Sequence, residues 1–250
     1  MYSTFNNDML AGLVKSNPEL EAVIHTIIAD NKKATSMFVH ELRNPLSLLK
    51  GTIQYIEMKQ PETKEYKYWD QIQDLINDMD RIMVDASLLN TYNLIQREPT
   101  DLITLIDTLT KSFMPRALTS EIELSYSIDP LAIPYYSSYS CDAVKIKQVL
   151  TNLIKNAFEA TEEGNFIHIE LKYIAAEASV PAKLVIVISN NGQPIPEEAL
   201  EDIFVPFVTY KKGGTGVGLA LVKKVIDLHY GSIRVESSKD LTAFTIQLPV

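Results

Sequence analysis

A chain of 250 residues with a single cysteine, Cys141, cannot form an internal disulfide or a cysteine-rich zinc site. Long apolar runs are missing too. The longest uninterrupted aliphatic stretch, Leu184-Val-Ile-Val-Ile188, falls far short of the roughly 20 residues that span a bilayer. Basic residues are in deficit, 23 lysines and arginines against 32 aspartates and glutamates, giving a formal charge of −9. That balance excludes a non-specific nucleic-acid binder, which needs basic surface to displace counterions. Residues Met1 to Asp8 carry neither the basic nor the apolar region of a signal peptide, so a cytoplasmic, reducing setting is expected. No internal repeat, low-complexity tract, H-E-x-x-H motif or Cys/His cluster is present, which speaks against a tightly held transition metal.

What is present is ordinary for a globular protein: 46% hydrophobic and 22% charged residues, in a length that allows one large domain or two modest ones. From Pro18 to Leu94 the sequence reads as helix, opened by Asn17-Pro18-Glu19 and broken at Lys59–Thr63 around Pro61. Val39, Leu42, Leu46, Leu49, Ile53 and Ile56 recur at alternating steps of three and four, as do Ile72, Leu75, Met79, Ile82, Ala86 and Leu89. This repeat is the seam of a helical bundle. Two helices cannot enclose such a stripe, and a second copy of the hairpin completes it as a dimeric four-helix bundle.

Beyond Arg97-Glu98-Pro99 the pattern changes. Helix is expected over Leu102–Leu118, interrupted at Pro115, and again over Ala143–Thr161 and Val217–Tyr230. Short apolar runs at Ile122–Ile128, Ile167–Tyr173, Leu184–Ser189, Ile233–Val235 and Phe244–Leu248 read as strands. The expected architecture is α+β: a helical hairpin followed by a two-layer sandwich, with one face of the sheet covered by helices. The boundaries read as an N-terminal segment over 1–17, the hairpin over 18–97 and the sandwich over 98–250.

Two groups of residues carry chemistry. With Val39 and Leu42 on the seam, His40 faces solvent, with Asn44 one turn on and Glu41 and Arg43 beside it. An imidazole placed there can act as a nucleophile while an adjacent carboxylate holds its other proton. Pro45 within this helix is costly, about 3 kcal/mol, and asks for a reason. The second group begins with Asn152 and Asn156, on one face of a helix whose core side is Leu150, Leu153, Ile154 and Ala157. An amide oxygen suits hydrated Mg²⁺ held together with substrate phosphates. Further on, Gly213-Gly-Thr-Gly-Val-Gly218 precedes a helix, an arrangement whose backbone amides receive phosphate. It lacks the Lys-Ser or Lys-Thr of a P-loop and the preceding strand of a dinucleotide fingerprint. Lys211 and Lys212, after an aromatic-proline segment, are cations placed to meet phosphate. His25, His168 and His229 have no companions at metal-ligand spacing, and Cys141 reads as a small buried hydrophobe.

In order and spacing these segments resemble the sensor histidine kinases of two-component signalling, in the form found in sporulation and nitrogen regulation. His40-Glu-Leu-Arg-Asn-Pro45 is similar to the phosphoacceptor box, Asn152–Asn156 to the N box, Asn190–Pro196 to the G1 box, Phe204–Phe207 to the F box and Gly214–Gly218 to the G2 box. The resemblance covers about residues 36 to 250 and implies a dimerisation and phosphotransfer hairpin followed by a Bergerat-type ATP-binding domain. It implies that His40 takes the γ-phosphoryl group of ATP, that Glu41 assists as base, and that Asn44 orients water when a response regulator is dephosphorylated. Asn156 becomes the Mg²⁺ ligand, and Asn152, Asn190, Gly192, Lys211, Lys212, Gly214, Thr215, Gly216, Val217 and Gly218 surround the nucleotide. The implied partners are a second copy of the chain and a receiver domain.

Two positions depart from the family pattern. Asn190 stands where an aspartate accepts from the adenine amino group, and Pro194 stands where a second glycine is usual. The alternative they open is a phosphotransferase, phosphatase or docking scaffold with a degenerate ATP site. Hairpin and ATP-binding domain use nearly all of the chain. The expectation is therefore a kinase core cut from a longer protein, or one signalled by a separate protein.

Overall fold

The computed structural model describes residues 18–91, 95–177, 181–211 and 214–250. The chain divides into two compact units, one ending at Thr91 and the other running from Tyr92 to Val250.

The first unit is a helical hairpin. Helix α1 (Pro18–Lys59) is followed by a 3₁₀ turn (Pro61–Glu65) and helix α2 (Trp69–Thr91). Pro61 opens the turn, as the break in the pattern predicts, while Pro45 is carried inside α1 without ending it. The hairpin closes on Val39, Leu46, Ile76 and Met83, with Ile53 packed against them. These buried residues sit seven apart on each helix, the repeat of a bundle. Glu57 receives hydrogen bonds from the Trp69 indole (2.8 Å) and from Gln73, and Lys50 pairs with Asp80 at 3.2 Å.

Only part of the sequence stripe is consumed in this way. Leu42, Leu49, Ile72, Leu75, Met79 and Ile82 remain 40–55% exposed, while Ile76, which the repeat left out, is buried. Two helices can cover only one flank of each other, so the remaining apolar flank stays open on a single chain. The side chains of Ala86 and Leu89 lie outside the described residues.

The second unit is a sandwich. Its elements are β1 (Glu98–Thr100), α3 (Leu102–Thr119), β2 (Glu123–Ile128), α4 (Ile133–Tyr136), β3 (Tyr139–Cys141), α5 (Ala143–Ala160), β4 (Phe166–Ile174), β5 (Lys183–Asn190), α6 (Gly218–Leu228), β6 (Ser232–Ser237) and β7 (Thr242–Pro249). Five strands form one sheet in the order β2-β4-β5-β7-β6, with β2 and β4 parallel and the other pairs antiparallel. The inward positions alternate as a half-covered sheet requires: Ile167, Ile169 and Leu171 on β4, Leu184, Ile186 and Ile188 on β5, and Phe244, Ile246 and Leu248 on β7 are all buried. Helices α3, α5 and α6 supply the facing layer through Ile106, Leu153, Ile154, Val222 and Ile226. Cys141 is buried, as expected.

One expectation is corrected. Pro115 does not interrupt its helix, because α3 runs on to Thr119. Pro115 and Lys111, four residues earlier, both lie on the exposed face, where water can satisfy the carbonyl that the proline cannot serve. The short pairing of β1 with β3 and the single turn of α4 have no counterpart in the sequence pattern.

Candidate functional site

His40 is exposed on α1, one residue after buried Val39, and Glu41, Arg43 and Asn44 around it are exposed as well. The b-position reading holds: the imidazole is presented to solvent. Pro45 removes the N–H that the Glu41 carbonyl would use one turn later, so the backbone beside the histidine is released from the regular ladder.

The second site lies in the sandwich, between α5, the end of β5 and the start of α6. Asp142 caps α5, its carboxylate accepting from the N–H of Lys145. From that start, the buried series Ile146, Val149, Leu150, Leu153, Ile154 and Ala157 fixes the rotation of the helix. That rotation leaves Asn152 and Asn156 half-buried at its edge. The Asn152 amide donates to the Gly218 carbonyl at 3.3 Å, tying α5 to the first residue of α6. The Asn156 amide oxygen accepts from the Lys211 ammonium at 3.3 Å, and the same ammonium pairs with Glu159 at 2.7 Å. Glu159 escaped the sequence reading, although its i+3 spacing from Asn156 places it on the same helix face. Lys212 and Gly213 lie outside the described residues.

Backbone contacts leave no room for a side chain at two glycines of the candidate site. Gly216 has φ of +68°, and a Cβ there would sit 2.6 Å from the backbone of Phe207 and Val208. Its carbonyl accepts from the Phe207 N–H at 3.0 Å, which binds the aromatic-proline segment to the loop that opens α6. At Gly192 a Cβ would lie 1.9 Å from the Ala160 carbonyl oxygen, so the turn after β5 is pressed against the end of α5. Pro194 causes no gap in this turn, because the N–H groups on either side of it are used. Gln193 donates to Ala160 at 2.7 Å and Ile195 to the Ser237 hydroxyl at 2.9 Å. Asn190, the last residue of β5, is 2% exposed, and its amide nitrogen has no hydrogen-bond partner among the described residues. Gly214, Thr215 and Val217 complete the loop, with Val217 fully buried and the Gly214 N–H on the Lys211 carbonyl at 3.1 Å.

The far ends of the same two helices are joined by His229, which is 2% exposed. Its Nδ1–H donates to the Val225 carbonyl at 2.8 Å, and its Nε2 accepts from the Asp142 N–H at 3.0 Å. Both bonds need the neutral ring. Burial depresses its pKa, assisted by Arg97 and Lys145 and opposed by the Val225 carbonyl and Asp142. At Asp142 burial opposes the charge, but the Lys145 ammonium at 2.6 Å and the N–H groups of Gln96 and Lys145 outweigh it and hold the carboxyl below its ordinary range.

Among the described residues no cluster of three or more His, Cys, Asp or Glu side chains suits a metal ion, and no helix is long and apolar enough to cross a membrane. The site is thus an amide, lysine and glycine arrangement, suited to phosphate and to a cation that arrives with it.

Comparison with known proteins agrees with this geometry. Residues 141–250 match the family described as histidine kinase-, DNA gyrase B- and HSP90-like ATPase. Sporulation kinase D of Bacillus subtilis is 32% identical over 84% of this chain and 40% of its own length. The chain thus spans less than half the length of that relative. The solved catalytic domain of histidine kinase ThkA is 33% identical with a TM-score of 0.53, and 62% of this chain matches 95% of that one. A structure of ThkA in complex with the response regulator TrrA matches 95% of this chain and 66% of that one, at 27% identity and a TM-score of 0.63. The chain belongs to the histidine kinases.

Proposed function

We propose that this chain is a kinase core that phosphorylates its own His40 from ATP and passes the phosphoryl group to an aspartate of a response-regulator receiver domain. The observation that carries this reading is the pairing of an Asn156 amide oxygen already holding a cation with a glycine loop that opens α6. Phosphoryl transfer demands mainly positioning and neutralisation of charge, and these groups supply both. The ammonium on Asn156 supports a cation at this oxygen, so Asn156 would hold Mg²⁺, with Asn152 alongside. When bound, that ion neutralises phosphate charge.

In the reaction a ring nitrogen of His40 forms a bond to the γ-phosphorus as the bond to the bridging oxygen of ADP breaks, and that oxygen leaves with ADP. Glu41 holds the proton on the opposite ring nitrogen. Asn44, one turn away, would orient water when the receiver is dephosphorylated. Gly214, Thr215, Gly216, Val217 and Gly218 frame the phosphates, Lys211 and Lys212 meet them, and Asn190 and Gly192 lie at the base. The open stripe of Leu42, Leu49, Ile72, Leu75, Met79 and Ile82 supports a homodimer built through the hairpin over 18–97, with 98–250 as the ATP-binding domain. ATP as substrate and a buried thiol suit a cytoplasmic setting.

Incubation with Mg²⁺ and γ-labelled ATP tests the reading. The protein is expected to acquire acid-labile, base-stable label that is lost in His40→Gln and that moves to a receiver domain on mixing. Folded protein that binds ATP yet gains no label would exclude it.

A further inference from the structure

Among the described residues, the amide nitrogen of Asn190 is a buried polar atom of the candidate site left without a hydrogen-bond partner. Strand alternation puts Asn190 on the same inward face as Leu184, Ile186 and Ile188, all buried beneath the helices. The polar groups of its neighbours are engaged with other partners. Asn191 accepts from the Phe166 N–H at 2.7 Å and donates to Asn165 at 3.0 Å. Thr242, beside Asn190 in the sheet register, shares a hydrogen bond with Ser237 at 2.6 Å. Gly192 closes the space against Ala160. A buried N–H donor with no acceptor is rare and costly in a folded protein, and in the ATP-binding reading this position is the one that reads the base.

A carboxylate at this position can only accept, so it matches the 6-amino donor of adenine and repels the 6-oxo acceptor of guanine. A carboxamide has both functions on one planar group. In one orientation its oxygen accepts from the 6-amino group of adenine while its nitrogen faces N1. Turned over, its nitrogen donates to the 6-oxo group of guanine or hypoxanthine while its oxygen accepts from N1–H. We propose that Asn190 makes this site accept 6-oxo purine nucleotides such as GTP alongside ATP. The inference rests on the ATP-binding reading above and adds the range of bases to it.

Displacement of a fluorescent ATP analogue from the full chain, with ATP, GTP, ITP and CTP as competitors, tests the proposal. GTP and ITP are expected to compete within about tenfold of ATP, and CTP far more weakly. Asn190→Asp removes the donor while keeping the shape. It is expected to weaken GTP and ITP by at least about tenfold relative to ATP. If that variant fails to fold, the unaltered protein decides with purine riboside triphosphate, which lacks a 6-substituent and should bind at least about tenfold more weakly than ITP. GTP more than about 100-fold weaker than ATP, or an unchanged ratio in Asn190→Asp, overturns this inference and leaves the ATP reading standing. Failure of every nucleotide to bind overturns both.

Discussion

At the scale of single residues, the neutral ring of His229 joins the far ends of the two helices that carry the proposed nucleotide site, and its burial gives the domain a pH dependence. An unfolded chain takes up a proton at the ordinary value of 6.5, while the folded domain refuses it until lower pH. The unfolded state then binds more protons, so stability complete above that value is lost as pH falls below it. Asp142 acts in a separate window, because a carboxyl held below 3.8 contributes fully until the pH reaches that range. Melting temperature should therefore fall between about pH 7.5 and 5.5, and fall less in His229→Gln, which cannot titrate. Parallel slopes in the two proteins would show that His229 does not carry the effect. None of this was legible in the sequence, because the partner of His229 is an N–H 87 positions earlier. Residues whose roles are local read correctly: His40 as exposed, Cys141 as buried, and Asn152 and Asn156 as one helix edge.

At the scale of elements, the loop that opens α6 is held by backbone that only glycine can supply at position 216. Gly216→Ala places a side chain at positive φ and against Val208, a strain of about 1–3 kcal/mol. The loop would move, and ATP affinity should fall by about tenfold or more, with a smaller change in melting temperature. Nucleotide titration beside a thermal melt checks this, and an unchanged affinity would show that the loop does not shape the phosphate end. Helix and strand periodicity located the main elements of the sandwich, because each buries one face. It missed β1, β3 and α4, which are three or four residues long and too short for a period to register. It also broke α3 at Pro115, where the exposed helix face tolerates the missing bond.

At the scale of the whole molecule, the hairpin buries one flank of its repeat and leaves the other open, and the proposed homodimer would cover that open flank. The repeat announced a seam without saying which residues two helices would close by themselves and which they would leave open. Met79→Glu places a charge in the middle of the open stripe and should shift the protein from dimer to monomer in sedimentation at micromolar concentration. A dimer that persists would move the interface elsewhere. In the proposed reaction, ATP held in the sandwich is spent on the imidazole of the hairpin. Its most direct test is to locate the phosphorylated residue by mass spectrometry, at neutral pH, after incubation with ATP and Mg²⁺. Phosphate is expected on His40. Phosphate confined to another residue, or none in folded protein that binds ATP, would exclude the proposed transfer.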